Sequence, residues 1–351
     1  MENIIVTIII ATYNSEKKLP EVLKALRKQT ISSETMEIIV VDGGSSDSTV
    51  EIAKKFRCSI INNPKTEPVY AKLLGLQNAK GKYAVVVDHD EVFENNDSLK
   101  NRIDALQENP ECKVAFCSGY KCPPNYTSLN QYVSEFGDPF SLYIYNFSKY
   151  DTYLEKVLKK NYTIVAETEN YFCLSFEKMK KYPLFELCCV GTIIDLEYFK
   201  EKTNIIINST EMVHLFYIMI EKGVNHVIFS KNDPLLHYSV DSLKSYFPKL
   251  KWRICNNIHY AEKGEKGFSG RLNYQKKMKY KKFLFIPYTL ILPICIMHSF
   301  YLAFTRKNLI YLIHPILCLY VVYQIFIQFF LKILNITPEF RSYDGKKIIK
   351  R

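Results

Sequence analysis

The chain of 351 residues holds ten cysteines but no pair of C-x-x-C motifs at zinc spacing, so the usual sequence signature of a structural zinc site is missing. Cys188, Cys189 and several others stand in apolar runs, where a free thiol behaves as a small hydrophobe. This usage fits a reducing compartment. The opening stretch MENIIVTIIIATYN has neither a basic start nor a cleavage site, and reads as a first strand rather than a signal peptide. DGGSSDS (Asp42–Ser48) fits neither G-x-G-x-x-G nor G-x-x-x-x-G-K-[ST], which leaves ordinary turn chemistry after a strand. Charge is absent from Phe283–Phe304, which contains no Asp, Glu, Lys or Arg, and acids are absent from Leu309–Leu334.

What is present begins with 48% hydrophobic and 24% charged residues, a composition that excludes a disordered chain. The formal net charge of +11 is unevenly placed. Lys249–Lys282 carries 11 Lys+Arg against 2 Asp+Glu, immediately before the first uncharged run. A basic stretch can bind nucleic acid, but two adjacent runs of about 20 apolar residues point to a bilayer instead. The expectation is a two-helix transmembrane hairpin over 283–334, after a basic juxtamembrane segment 251–282 and before a basic tail 335–351. Lysines and arginines favour the cytoplasmic side, so both ends of the hairpin are expected there, with Arg306 and Lys307 in the outer turn. Residues 1–250 would then form a cytoplasmic domain of a multi-pass cell-membrane protein.

The first half alternates strand and helix signals. IIVTIII, MEIIVV, CSIIN and YAVVV read as strands, while LPEVLKALRKQ, TVEIAKKF and VYAKLLGLQNA read as helices. Such alternation with short loops implies an α/β fold with a mostly parallel sheet. KYAVVVDHDEVF (Lys82–Phe93) poses a chemical question, because an apolar strand delivers Asp88, Asp90 and Glu91 to its own C-terminal end. One reading is the acidic first turn of a following helix. The other is a divalent cation, Mg²⁺ or Mn²⁺, held by carboxylate and substrate phosphate oxygens beyond the strand ends.

VTIIIATYNSEKKLPEVLKALRKQT, EIIVVDGGSSDSTVEIAKKF and AKLLGLQNAKGKYAVVVDHDEVF occur in that order, and together resemble the opening blocks of a family 2 glycosyltransferase. The resemblance implies a GT-A fold, a Rossmann-like mixed sheet built for nucleotide-diphospho-sugars, here followed by two transmembrane helices. It also implies a metal-dependent, inverting transfer from a nucleotide-sugar donor. Thr12, Tyr13, Asn14 and Glu16 match the loop lining the nucleotide pocket, and Asp42 matches the carboxylate that reads the nucleoside. Lys72 stands where the family commonly has Arg, and Leu73 replaces the usual Asn. Asp88 and Asp90 match the aspartates associated with ribose and metal; Asp90 is the first choice for the metal, and Glu91 could begin the next helix.

In the second half, STEMVHL resembles the block where relatives carry a Glu-Asp pair whose Asp is taken as the base. Glu211 matches the Glu, but Met212 stands where the Asp would be and cannot accept a proton, which makes Glu211 the expected base. Ile218 likewise replaces a common Arg. His237 is a candidate for the metal or a phosphate, or a strand-end histidine, and VDSLKSYFPKLKW reads as an amphipathic helix with Trp252 at a membrane interface. The expected protein is a membrane-anchored glycosyltransferase with a lipid-linked or glycan acceptor and no nucleic-acid partner. The alternatives are a polyprenyl-phosphate glycosyltransferase and a nucleotide-sugar-binding pseudoenzyme.

Overall fold

Runs of Val and Ile with no polar alternation build a sheet covered on both faces, and three of the first four strands follow that rule, the edge strand Ser59–Asn62 being partly exposed. The computed structural model describes residues 4–179, 190–202, 215–260, 278, 280–339 and 341–342. Contacts divide the chain into two units, residues 1–121 with 150–237 (plus the last two residues) and residues 122–149 with 238–349. That division differs from the expected single domain over 1–250. The reason is packing: the inserted segment 122–149 shares its apolar core with the C-terminal helices rather than with the sheet.

The first unit holds β1 (Val6–Thr12), α1 (Leu19–Arg27), β2 (Met36–Asp42), α2 (Thr49–Lys55), β3 (Ser59–Asn62), α3 (Pro68–Asn78) and β4 (Tyr83–Asp88). β5 (Glu91–Phe93), α4 (Ser98–Glu108), β6 (Val114–Phe116) and β7 (Gly119–Lys121) follow. After the insertion come α7 (Asp151–Asn161), β8 (Thr163–Glu167), β9 (Tyr171–Ser175), β10 (Ile193–Asp195), α8 (Leu196–Lys202), α9 (Leu215–Glu221), β11 (His226–Ser230) and β12 (Pro234–His237). The main sheet runs β3-β2-β1-β4-β10-β6-β11-β9-β8, and a small sheet runs β5-β12-β7. β1 is parallel to both β2 and β4, whereas β10 joins β4 and β6 antiparallel, so the sheet is mixed.

Two registers position the chemistry. Thr12 pairs with Asp42, and Ala11 with Asp88, so three parallel strands end side by side. β2 and β3 lie on one side of β1 and β4 on the other, which makes this the point where strand order reverses and a crevice opens. α3 packs against β1 at Gly75, where an added Cβ would collide with Ile9. α1 lays Leu19, Val22, Leu23 and Leu26 inward, the face its sequence spacing predicts. Glu91 does not open a helix: it starts strand β5, and the next helix, α4, begins seven residues later at Ser98.

The second unit contains α5 (Ser128–Phe136), α6 (Pro139–Tyr145), α10 (Leu243–His259), α11 (Phe285–Leu290), α12 (Leu292–Arg306) and α13 (His314–Ile333). Its core includes Tyr132, Phe136, Tyr246, Phe285, Tyr311 and Val321. Of the expected pair of spanning helices, one stretch among the described residues, Leu309–Ile333, is by itself long and apolar enough to cross a bilayer. The first run is broken, with Lys281–Leu290 and Leu292–Arg306 meeting at 96°. The chain leaves the helical region at Ile291 (ψ 74°), and Pro293, in the first turn of the next helix, has no N–H with which to continue the earlier one.

Candidate active site

The loop after β1 and the loop after β2 are tied together by short polar side chains. The Asn14 N–H donates to Ser45 Oγ at 2.8 Å, while Asn14 Oδ1 accepts from the Ser46 N–H at 2.8 Å. Asn14 adopts φ +49°, a left-handed conformation that Asn tolerates better than most residues. The Ser48 N–H donates to Glu16 Oε2 at 3.2 Å, and the Glu16 N–H donates to Asp47 Oδ2 at the same distance. Thr12, Tyr13, Asn14 and Glu16 thus line one folded edge, with Thr12 buried and the other three half-buried.

Asp42 is buried and its carboxylate organises DGGSS. Thr12 Oγ1 and Ser45 Oγ donate to Oδ1 at 3.1 and 2.5 Å, and the Gly44 and Ser45 N–H groups donate to Oδ2 at 3.0 and 2.8 Å. A carboxylate has about four lone-pair positions. All of them serve the loop, so Asp42 shapes the rim of the crevice at this strand end.

The acidic turn stands opposite two lysines. Lys72 Nζ, buried on α3, lies 2.7 Å from Asp88 Oδ1, and Lys18 Nζ lies 3.7 Å from Asp90 Oδ2. The Asp88 side chain is 37% exposed and that of Asp90 is 10% exposed, so Asp88 faces the solvent more openly. Glu91 is the innermost of the three carboxyls. Burial, then repulsion from Asp88, pushes it up to about 8, so it favours the protonated form at neutral pH. Its Oε2 accepts from the Asp88 N–H at 3.1 Å and its Oε1 accepts from Tyr120 Oη at 2.7 Å.

Tyr120 connects the turn to its surroundings. Its hydroxyl oxygen also accepts from the Val190 N–H at 3.0 Å, and its ring stacks on His237 with centroids 4.5 Å apart. His237 pairs with Glu91 across β12 and β5, which brings it beside the acidic turn. Behind Val190, Gly191 has φ +58° and its carbonyl accepts from the buried Arg102 guanidinium. Arg102 Nε also lies 3.5 Å from Asp233, itself buried. Burial raises the Asp233 carboxyl above the usual carboxylate range despite Arg102.

Thr12, Asp42, Lys72, Asp88, Asp90 and His237 therefore sit on the strand ends, or on the elements bordering them. Glu211 and Met212 lie outside the described residues. Lys18, Tyr120 and Arg102 belong to the arrangement but were not singled out from sequence. Lys18 is indistinguishable there from Lys17, and Tyr120 gains its role only by long-range pairing with Glu91 and Val190.

Parallel strands ending in a polar loop pair, a row of carboxylates and two facing lysines form an α/β crevice at the strand ends with a charged rim. Residues 7–180 match the family model described as glycosyl transferase family 2. The poly(ribitol-phosphate) beta-N-acetylglucosaminyltransferase TarS of Staphylococcus aureus is 32% identical over 108 residues, 29% of this chain and 19% of that protein. A dolichyl N-acetyl-alpha-D-glucosaminyl phosphate 3-beta-D-2,3-diacetamido-2,3-dideoxy-beta-D-glucuronosyltransferase of Methanococcus voltae is 31% identical over 123 residues, 32% of this chain and 38% of that protein. The chain thus spans well under half the length of these curated relatives. The mannosyltransferase PcManGT from Pyrobaculum calidifontis, solved with GDP-Man and Mn²⁺, shares the fold. Its TM-score is 0.53 at 13% identity, covering 92% of this chain and 86% of that chain.

Proposed function

We propose that this protein transfers a sugar from a nucleotide-sugar donor to an acceptor hydroxyl, with inversion at the anomeric carbon, while associated with a membrane. The observation that carries the reading is the alignment of Thr12, Asp42 and Asp88 at the ends of three adjacent strands, with Asp90 on the following turn. The match of residues 7–180 to the family 2 model supports it.

The donor set fits a hard divalent cation. Asp88 and Asp90 offer carboxylate oxygens, and each already has an ammonium group within 4 Å, so positive charge is accommodated there. Asp90 would hold the cation, with Asp88 toward it and the ribose and His237 at the border. When bound, it would offset the charge that grows on the departing nucleoside diphosphate. The chain's own groups do the rest. The Thr12–Glu16 edge and the Asp42 loop hold the nucleoside, and Lys72 and Lys18 supply fixed positive charge to the diphosphate. Glu91, held by Tyr120, fixes the turn that carries both aspartates. Glu211 is the proposed proton acceptor for the acceptor hydroxyl, because direct attack by that oxygen inverts the anomeric centre. The acceptor is lipid-linked in this reading, supported by the exposed apolar surface of the C-terminal helices.

Calorimetry with GDP-, UDP- and other nucleotide sugars in Mg²⁺ or Mn²⁺ tests the donor site. Asp90→Ala is expected to abolish the metal-dependent part of the affinity while leaving the circular dichroism unchanged. Unchanged metal-dependent binding in that variant contradicts the assignment.

A further inference from the structure

The C-terminal apolar runs have the length in sequence to cross a bilayer, yet from Leu309 to Gln328 the second is packed on one side alone. On α13 and the 3-10 turn before it, Leu312, Ile316, Leu319, Tyr323, Phe326 and Phe330 are exposed at alternating spacings of three and four. That is one stripe of a helix. The opposite face is buried and more polar, with His314, Cys318, Gln324 and Gln328 turned inward. The open face is apolar throughout, while the inward face mixes these polar groups with Leu317, Val321 and Val322, which is not the pattern of a helix built for water.

What covers the buried face decides the geometry. At one end, Arg306 Nε lies 2.8 Å from the fully buried Glu135 on α5, and Asn308 Nδ2 donates to Gln131 Oε1 at 2.8 Å. Tyr311 Oη donates to Glu135 as well. In the middle, Tyr132 on α5 bonds His314 at 2.8 Å. Further along, α13 runs beside α10: the Tyr320 and Phe247 rings are 4.3 Å apart, and Lys332 Nζ donates to the Ile258 carbonyl at 3.0 Å. Those two contacts are 12 residues apart on α13 and 11 on α10, a shared run of about 17 Å. α10 carries Lys244, Lys249, Lys251 and Arg253, and Arg253 is paired with Asp138 at 3.0 Å.

A helix crossing the hydrocarbon would take this company with it. Glu135, Arg306, Asp138, Arg253 and the α10 lysines would reach membrane depth, where a charge at the centre costs about 2.5–3.5 kcal/mol on insertion scales. A helix lying in the plane of one leaflet keeps all of them on the aqueous side, and sinks only the stripe by about 5–10 Å.

We infer that the C-terminal unit is an in-plane module, seated with the α13 stripe in one leaflet of an anionic bilayer, and that neither apolar run crosses it. The 96° bend between Lys281–Leu290 and Leu292–Arg306 leaves neither piece of the first run long enough to span by itself. The Arg306–Asn308 turn then stays on the same side of the bilayer as α5 and does not emerge on the far side. The basic run KKMKYKK (Lys276–Lys282) supplies attraction to anionic headgroups, about 1 kcal/mol for each Lys near the surface. This inference rests on the membrane association proposed above and is independent of the transfer chemistry.

Depth-dependent quenching tests it on the full chain in phosphatidylethanolamine–phosphatidylglycerol vesicles. Single cysteines at Leu312, Leu319, Phe326 and Ile333, in a background without reactive native cysteines, carry an environment-sensitive dye. Lipids spin-labelled at defined depths are the quenchers. The in-plane arrangement predicts that all four dyes are quenched at one shallow depth, within a few ångströms of each other. A crossing helix shifts depth by about 1.5 Å per residue, some 30 Å from Leu312 to Ile333, with the deepest dye in the middle. That profile overturns the in-plane inference and leaves membrane association standing. Absence of quenching at all four positions overturns both, and assigns the stripe to a protein partner.

Discussion

Tyr120→Phe is the sharpest probe of the acidic turn, because it deletes one oxygen and keeps the ring that stacks on His237. That oxygen donates to Glu91 Oε1 at 2.7 Å and accepts from the Val190 N–H at 3.0 Å. Both partners are buried, with Glu91 1% exposed and Val190 0% exposed. At about 1–2 kcal/mol for each of the two buried groups left without a partner, the lower part of the usual range, the variant should lose about 2–4 kcal/mol in this region. Native-state hydrogen exchange of β5, β7 and β12 reads that loss directly. Amides exchanging through opening of this sheet should speed up by roughly 30- to 1,000-fold, at 1.36 kcal/mol per factor of ten. Metal-dependent donor affinity should fall too, since the turn carrying Asp88 and Asp90 loses its anchor. An exchange change under threefold in all three strands would refute the reasoning, because the hydroxyl would then not be holding the turn.

Three further outcomes are expected. Gly75→Ala places a methyl against Ile9 in β1 and should destabilise the first unit by about 1–3 kcal/mol in urea unfolding, as overpacking does. Asp42→Asn exchanges one acceptor oxygen for an NH₂ group facing the donors that Asp42 now satisfies, and should weaken donor binding tenfold or more in calorimetry with little change in far-ultraviolet dichroism. Arg306→Met strands the buried Glu135 carboxylate and should destabilise the second unit by about 3–5 kcal/mol near pH 8, followed by fluorescence of the single tryptophan, Trp252. Burial holds the Glu135 carboxyl above the usual carboxylate range, against the pull of Arg306 and Tyr311. The folded state therefore binds this proton more tightly than the unfolded chain. Its contribution is complete below the ordinary carboxylate pKa and is lost as pH rises through the raised value. The penalty of Arg306→Met should accordingly shrink toward pH 5.

Much of the sheet was legible because its strands are unbroken Val and Ile runs, and the boundaries of β2 and β4 fall within a residue of those read from sequence. Asp88 and Asp90 were legible for the same reason, as polar residues where an apolar strand stops. Glu91 was not: an acid after a strand fits a helix start equally well, and only pairing with Leu236 and His237 makes the segment a strand. Tyr120 carried no local signal, since its role depends on partners 29 and 70 residues away. The second unit shows the limit of hydropathy. The runs 283–304 and 309–334 are apolar enough to span, but composition does not record that one face of α13 is taken by α5 and α10, which carry charges of their own. Lys72 shows a residue-level departure with a structural answer, because a lysine on α3 still reaches Asp88 where the family commonly places Arg.

The central claim is that the crevice at the ends of β1, β2 and β4 consumes a nucleotide sugar. Purified full-length protein in detergent, incubated with a panel of nucleotide sugars, Mg²⁺ or Mn²⁺ and a membrane-lipid extract as the source of acceptor hydroxyls, is assayed for release of nucleoside diphosphate. The account predicts that at least one donor is turned over, that Asp90→Ala abolishes the turnover, and that Glu211→Gln lowers it by about 10²–10⁴-fold with donor affinity retained. Turnover that survives Asp90→Ala undiminished, or no binding and no turnover of any donor with either metal, contradicts it.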